Sequence, residues 1–351
     1  MKKTDKQKAA ILRVLRDARG GAGSAEIARQ LQGYGINLGA RAIRIHLTQM
    51  EESGLVHPAR RGRSGGRGIT PEGLQEVNDA QVLDRVGVTA TKMDTLACRM
   101  TLSLDPPAGQ LVLNMTVIRT ADLGAAMEEM GPVFNAGLGM GEHMAIFRPG
   151  ETVGSFQIPE QSVGIGTVCS VTVNGVLLGA RIPCVSRFAG VLEYQNGQPL
   201  RFTDVIFYEG TSLDPLEIFI KSGLTSVRAV ARTGNGRIGA SFREIPNCAI
   251  GEAEVLLRRM KAAGLGSQLL LGRPNQPLLG FPVQDGRTGL VVAGGLNPCA
   301  AFQETGIRAE HTALAQLHEF QALGHYHAYE EIIRNSRPGR LPVFDLCRVI
   351  G

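Results

Sequence analysis

The sequence predicts a mixed α/β chain in two parts: an N-terminal winged helix-turn-helix, then an internally duplicated, pseudo-twofold α/β body. Three observations carry this. Net charge is +5 from 37 Lys/Arg and 32 Asp/Glu, yet residues 1–80 hold 14 basic and 8 acidic side chains, leaving 23 and 24 for the rest. Helical periods ended by glycines give way, near residue 55, to strand signals around an arginine loop. The remainder repeats itself at a nearly constant offset. A length of 351 suits about two domains. The expected divisions are 1–80, 85–325 (halves about 96–194 and 226–320) and a tail, 326–351.

The first helix opens at Thr4, whose spacing to Gln7 fits a capping box, and Ile11, Leu12, Leu15 and Ala18 share one stripe. Gly20 and Gly21 stop it. Ser24 is placed to cap a second helix with Ile27, Ala28 and Leu31 inward. Gly33-Tyr34-Gly35 turns the chain, and a third helix spans about residues 40–53, stopped by Gly54. Leu55 and Val56 begin a strand. Residues 57–68 carry Arg60, Arg61, Arg63 and Arg67 and no acid. Ile69 returns, and Thr70-Pro71-Glu72 opens a fourth helix with Pro in its first turn. Three helices and a basic-tipped hairpin form the winged layout.

At about 100° per residue, Ile43, Leu47 and Met50 share a core-facing stripe of the third helix. Arg41, Arg44 and Thr48 fall together on another face. Arg matches guanine O6 and N7 bidentately, and Thr can meet a thymine methyl, so that face suits the major groove of double-stranded DNA. The wing arginines Arg60, Arg61, Arg63 and Arg67 suit phosphate or the minor groove.

In the body, Ala136-Gly137-Leu138-Gly139 recurs as Ala263-Gly264-Leu265-Gly266, Arg148-Pro149 as Arg273-Pro274, and Phe156 as Phe281. Residues 166–174 align without gaps on 289–297, and 186–194 on 312–320. Each half predicts a hairpin (99–103 with 111–117; 227–232 with 237–243) and a helix (about 121–135; 249–262). Each then predicts a strand–turn–helix unit capped at Asn174 or Asn297. Surplus glycine, 45 residues, serves the turns. A helix N-terminus offers free N–H groups to an anion, so two such ends suit a small dicarboxylate. Arg148, Arg187 and Arg273 are candidate salt partners. Cys169 and Ser170 lie on the same segment as Asn174.

Other chemistries find little support. Glycine clusters such as Gly236-x-Ile-Gly239 form no dinucleotide fingerprint, and neither a phosphate-binding G-x-x-x-x-G-K loop nor a G-x-S-x-G elbow occurs. The chain reads as no enzyme, with no cofactor and no resident metal. His325-x-His327 is spaced to chelate, but no H-E-x-x-H accompanies it. The six cysteines form no C-x-x-C pair, which argues against a zinc site or a disulfide scaffold. No apolar run approaches the ~18 residues of a membrane span, and charges at Arg13, Arg16 and Asp17 interrupt any secretory core. A cytoplasmic location is expected.

Residues 35–56, Gly35-Ile36-Asn37-Leu38 through Ser53-Gly54-Leu55-Val56, resemble the winged helix of the NrpR nitrogen-regulatory repressors, a type related to the module at the front of ribonuclease R. Gly39 stands where that family usually has a polar cap. The body resembles the NrpR effector domain over about 85–325. That likeness rests on GIGTVCSVTVNGVLLGARIPCVSRFAGVLEY, RFTDVIFYEGTSLDPLEIFIKSGLTSV and GLVVAGGLNPCAAFQETGI. It implies a homodimer on an inverted-repeat operator, repressing nitrogen-assimilation genes and released by 2-oxoglutarate, with a PII-type signal protein as a further partner. The residues leave open a regulator of this architecture sensing another anion, or redox state through Cys169 or Cys184. They also leave open an enzyme with an RNA-binding front end.

Overall fold

A computed structural model describes residues 3–18, 21–32, 36–58, 66–77, 87–154 and 156–334. The chain divides into two compact units, residues 1–86 and 87–351.

The first unit contains α1 (Lys3–Asp17), α2 (Ser24–Gln32), α3 (Ala40–Glu52) and α4 (residues 71–77). Ile11, Leu12, Leu15, Ile27, Leu31, Ile43, Leu47, Met50 and Val56 form one buried core. Val56 bridges Ile69, and Ala22 bridges Arg67, both antiparallel, so a minimal sheet closes the winged fold. Two predicted caps shift. α1 begins at Lys3, before Thr4. Ser24 lies inside α2, because the Gly23 carbonyl accepts from Ile27 N–H at 3.0 Å.

The second unit opens with α5 (Val88–Arg99). Its first half contributes β1 (Gln110–Arg119), α6 (Leu123–Asn135), β2 (His143–Phe147), β3 (Ser162–Val168), α7 (Val171–Gly179) and β4 (Val185–Gln195). β5 (Gln198–Phe207), α8 (Pro215–Lys221) and α9 (Val227–Thr233) connect. The second half contributes β6 (Gly236–Pro246), α10 (Ile250–Ala262), β7 (Leu269–Leu271), β8 (Arg287–Ala293), α11 (Asn297–Gln303) and β9 (Ala309–Glu319). β10 (Gly324–His325) and α12 (Tyr326–Arg334) follow.

Two five-stranded antiparallel sheets result, in the orders β9-β1-β3-β2-β10 and β7-β8-β6-β4-β5. The last strand of each half therefore pairs with the first strand of the other half: β9 with β1, and β4 with β6. Burial dictates this arrangement. β1 and β6 are buried at almost every position, so both faces and both edges must be covered.

Register corrects the sequence alignment. Arg119 pairs with Ser162 as Pro246 pairs with Arg287, and Leu113 with Val168 as Ala240 with Ala293. Gly164, not Gly166, is thus the counterpart of Gly289. Thr116 pairs with His311 as Arg243 with Ser186, so Ser186 matches His311 rather than Thr312. The loops before β3 and β8 differ in length, which a gapless alignment cannot register. Carried into the helices, Asn297 matches Thr172, Asn174 matches Cys299, and Cys169 matches Gly294.

The predicted hairpins also change. Arg99 ends α5, and the small hairpin there is Ser103–Leu104 with Pro107–Ala108. Residues 227–232 are helical: Val227 and Val230 are buried, and Gly234 at φ 74° ends the turn. The expected tail begins with α12, which packs on α6: Tyr326 stacks on Phe134 at 4.7 Å, and its hydroxyl donates to Asn135 Oδ1.

Candidate functional site

Helix α3 presents two chemically distinct faces. Ile43, Leu47 and Met50 are at most 2% exposed, which anchors the helix. Arg41, Arg44 and Thr48 are exposed, and Ile45 beside them is 54% exposed. Arg44 Nε donates to the Ala40 carbonyl at 3.3 Å, which leans it along its own helix. Gly39 caps α3 with extended backbone and no side-chain bond. Arg60, Arg61 and Arg63 lie outside the described residues. Arg67 departs from expectation: it is paired with Glu51 at 2.7 Å, its side chain 17% exposed, and so ties the returning wing strand to the end of α3. Thr70 fastens the next turn, accepting from Gly73 N–H at 3.0 Å and donating to the Gly54 carbonyl at 2.7 Å.

In the body, two predicted ligand residues meet on one the sequence reading missed. Arg243 is fully buried. Its guanidinium donates to Asn174 Oδ1 at 2.7 Å, Ser170 Oγ at 3.1 Å and Ser241 Oγ. Asn174 in turn donates to Ser186 Oγ at 2.9 Å. All these acceptors are neutral, and a buried charge without a counter-ion is costly. Cys169 lies beside this cluster, its thiol pushed up to about 11 by burial. Cys184 is held at about 11 for the same reason. The missed signal was a charged pair, Arg243-Glu244, inside an otherwise apolar strand.

The counterpart cluster in the other half is uncharged. His311 Nε2 faces Gln303 Oε1, an acceptor only, so it carries the proton, and Nδ1 accepts from Thr116 Oγ1 at 2.9 Å. Burial lowers its pKa to about 4, with Lys221 a smaller cause.

Neither asparagine caps its helix. Asn174 sits in the first turn of α7, behind Ser170, and Asn297 is the first residue of α11, behind Leu296. Asn297 is 1% exposed. Its Oδ1 accepts from Gly239 N–H at 3.0 Å, and its Nδ2 donates to the Leu138 and Gly239 carbonyls at 2.7 and 2.8 Å. It fastens the halves together. Arg187 belongs to another face of the second sheet, 3.8 Å from Glu244. Arg148 lines a groove of about 610 Å³ with Phe147, Glu151 and His318, and Arg273 is exposed on the loop after β7. The expected single dicarboxylate cleft therefore resolves into separate places. His325 faces Glu142 and His327 faces Glu330, each at 3.1 Å, and among the described residues no group of three or more His, Cys, Asp or Glu could hold a metal. Nor, among them, is any helix long and apolar enough to cross a membrane.

A basic-faced winged helix followed by a duplicated body with charged residues sealed in one half defines a two-part transcription regulator. The body matches the family of NrpR regulatory domains NRD1 and 2 over residues 86–325, and the front matches the ribonuclease R winged-helix domain over residues 9–77. The chain belongs to the NrpR family. It is 34% identical over 313 residues to the global nitrogen regulator NrpRI of Methanosarcina mazei, covering 89% of this chain and 95% of that one. It is 30% identical to the global nitrogen regulator NrpR of Methanococcus maripaludis and 27% to that of Methanocaldococcus jannaschii, but spans only 54% and 55% of their lengths. A crystal structure of a nitrogen repressor-like protein from Methanococcus jannaschii superposes with a TM-score of 0.57 at 26% identity, over 67% of this chain and 97% of that one.

Proposed function

We propose that the protein is a nitrogen-responsive transcriptional repressor that binds an inverted-repeat DNA operator as a homodimer and is released by 2-oxoglutarate. The observation that carries the DNA reading is α3: an apolar face locked in the core and Arg41, Arg44 and Thr48 on the solvent face. The names of its relatives support the nitrogen signal. Arg243, with only neutral partners among the described residues, supports an anionic effector, since a carboxylate supplies the missing counter-charge bidentately. Ligand that prefers one arrangement of the body alters operator affinity by linkage. A coupling of ~1–3 kcal/mol corresponds to about 5–150-fold. Redox control is disfavoured, because the thiols of Cys169 and of the partly exposed Cys184 are both pushed up to about 11 and resist forming the reactive thiolate.

The test is fluorescence anisotropy of the full chain on labelled duplex DNA, with and without 2-oxoglutarate, with succinate as control. Release by 2-oxoglutarate alone supports the reading. DNA binding indifferent to it, or no duplex binding in low salt, refutes it.

A further inference from the structure

On the face of the second sheet opposite Arg243, Arg187 and Glu244 approach each other and Arg287 shares the same face. Glu244 on β6 is 1% exposed, and its Oε1 accepts from Gln284 N–H at 3.2 Å. Arg187 Nε stands 3.8 Å from Glu244 Oε2, too far for a hydrogen bond. Arg287 begins β8, paired with Pro246 two positions along β6 from Glu244, and so shares its face. Among the described residues, Arg187 Nε, Glu244 Oε2 and one terminal nitrogen of Arg287 are buried without any hydrogen-bond partner. A buried polar atom left unmet is destabilising. The loop between Gly272 and Gly286 lies over Glu244: Leu278 lies against Gly289 beside it, and the Gln284 N–H reaches Glu244 itself.

The duplication supplies an internal control. The counterparts of Glu244 and Arg287 are Val117 and Ser162, both uncharged. Arg187 has no counterpart. It is the extra residue of a bulge, where β6 steps from Phe242–Phe188 to Arg243–Ser186, whereas β1 steps from Met115–Thr312 to Thr116–His311 without one. Bulges re-aim side chains at functional places. The fold does not need these charges, since the other half builds the same sheet without them.

The open valences define the occupant. Two guanidinium N–H groups require acceptor oxygens. One carboxylate oxygen requires a hydrogen donor. The cluster carries two positive charges and one negative, so a monoanion neutralises it. A carboxylate flanked by an ammonium, with a second carboxylate elsewhere, meets all three conditions. We propose that Arg187, Glu244 and Arg287 form a binding site for an acidic α-amino acid, its α-carboxylate on the two arginines and its ammonium on Glu244. A 2-oxo acid places a carbonyl oxygen where the ammonium would sit, acceptor against acceptor, and is rejected. The site is thus distinct from the effector of the proposed function and reads the aminated rather than the oxo form of a small acid.

The experiment is isothermal titration of the full chain with L-glutamate, L-glutamine, 2-oxoglutarate and inorganic phosphate. L-Glutamate binds, L-glutamine binds more weakly for want of the second charge, and neither 2-oxoglutarate nor phosphate displaces glutamate. Glu244→Gln weakens glutamate at least tenfold while leaving any 2-oxoglutarate heat unchanged. Arg187→Gln, on a partly exposed side chain, gives the same loss if Glu244→Gln does not fold. No glutamate binding at millimolar concentration, equal binding of phosphate, or competition between glutamate and 2-oxoglutarate overturns the proposal. Operator release by 2-oxoglutarate is read separately on the same proteins, so failure of either idea leaves the other standing.

Discussion

Asn297→Ala tests whether this asparagine is a structural fastener or a ligand contact. The wild-type side chain satisfies one N–H and two carbonyls in a site 1% exposed to solvent. Alanine strands the Gly239 N–H and the Leu138 carbonyl, while the Gly239 carbonyl keeps the bond from Gly294 N–H at 2.8 Å. Two stranded buried groups at ~1–3 kcal/mol each put the loss at about 4 kcal/mol. That is a large part of the ~5–15 kcal/mol of a typical domain. At roughly 2–4 °C per kcal/mol, the melting point falls by about 8–16 °C. Urea denaturation followed by circular dichroism reads the change in midpoint at constant slope. Asn297→Asp does worse than alanine, because a carboxylate faces two carbonyl oxygens. A loss under about 1 kcal/mol for alanine, with ligand response selectively abolished, refutes the structural assignment and restores Asn297 to the effector site.

Two buried titrations act in opposite directions. His311 has a folded pKa of about 4 against ~6.5 unfolded, so the unfolded chain binds more protons between those values. Stability is lost as pH falls through that window, by about 3 kcal/mol, and His311→Gln flattens the acid limb of a pH–denaturation profile. Asp214 caps α8 by accepting from Leu216 N–H at 2.9 Å, and burial, with Glu217 a smaller cause, raises it to about 7. Its folded form holds the proton longer, so its contribution is present at low pH and lost as pH rises from about 4 to 7. Asp214→Asn keeps a cap and gains stability relative to wild type at pH 8; an unchanged difference between pH 5 and 8 refutes it. For the winged helix, Arg41→Ala or Arg44→Ala costs ~1–3 kcal/mol at particular base pairs, whereas Arg63→Ala weakens all duplexes alike. Equal losses from both on every sequence count against α3 as the reading element. Operator affinity also falls steeply with salt, the logarithmic slope reporting the phosphates neutralised.

The winged helix was legible because its signals are local. The stripe Ile43, Leu47, Met50 is set by helical period, and Gly54 ends α3 at a left-handed φ of 74°. The duplication was legible because its order survives in glycine-rich turns. What the sequence concealed was pairing between distant strands. Nothing in residues 185–195 announces that they leave their own half, and a two-residue difference in loop length misaligned Asn174 with Asn297. Residues 227–232 alternate well enough for a strand, but burial of Val227 and Val230 on one side made a helix. Arg243 was passed over because a buried arginine resembles a surface one until its neighbours are known. The ligand residues chosen from their position near helix starts divide accordingly: Ser170 and Asn174 join Arg243, while Asn297 is consumed in packing.

The exchange of final strands makes the two repeats mutually indispensable. A polypeptide cut short after Gln195 would keep β1 with a bare side where β9 belongs, and its own β4 would have no β6 to lie beside. Such a fragment exposes backbone donors along a buried, oily ribbon and is expected to precipitate alone. Supplied with the missing piece, as two polypeptides made in one cell, it has everything needed to reassemble. The body is one architectural unit written twice, and neither copy is a free-standing module.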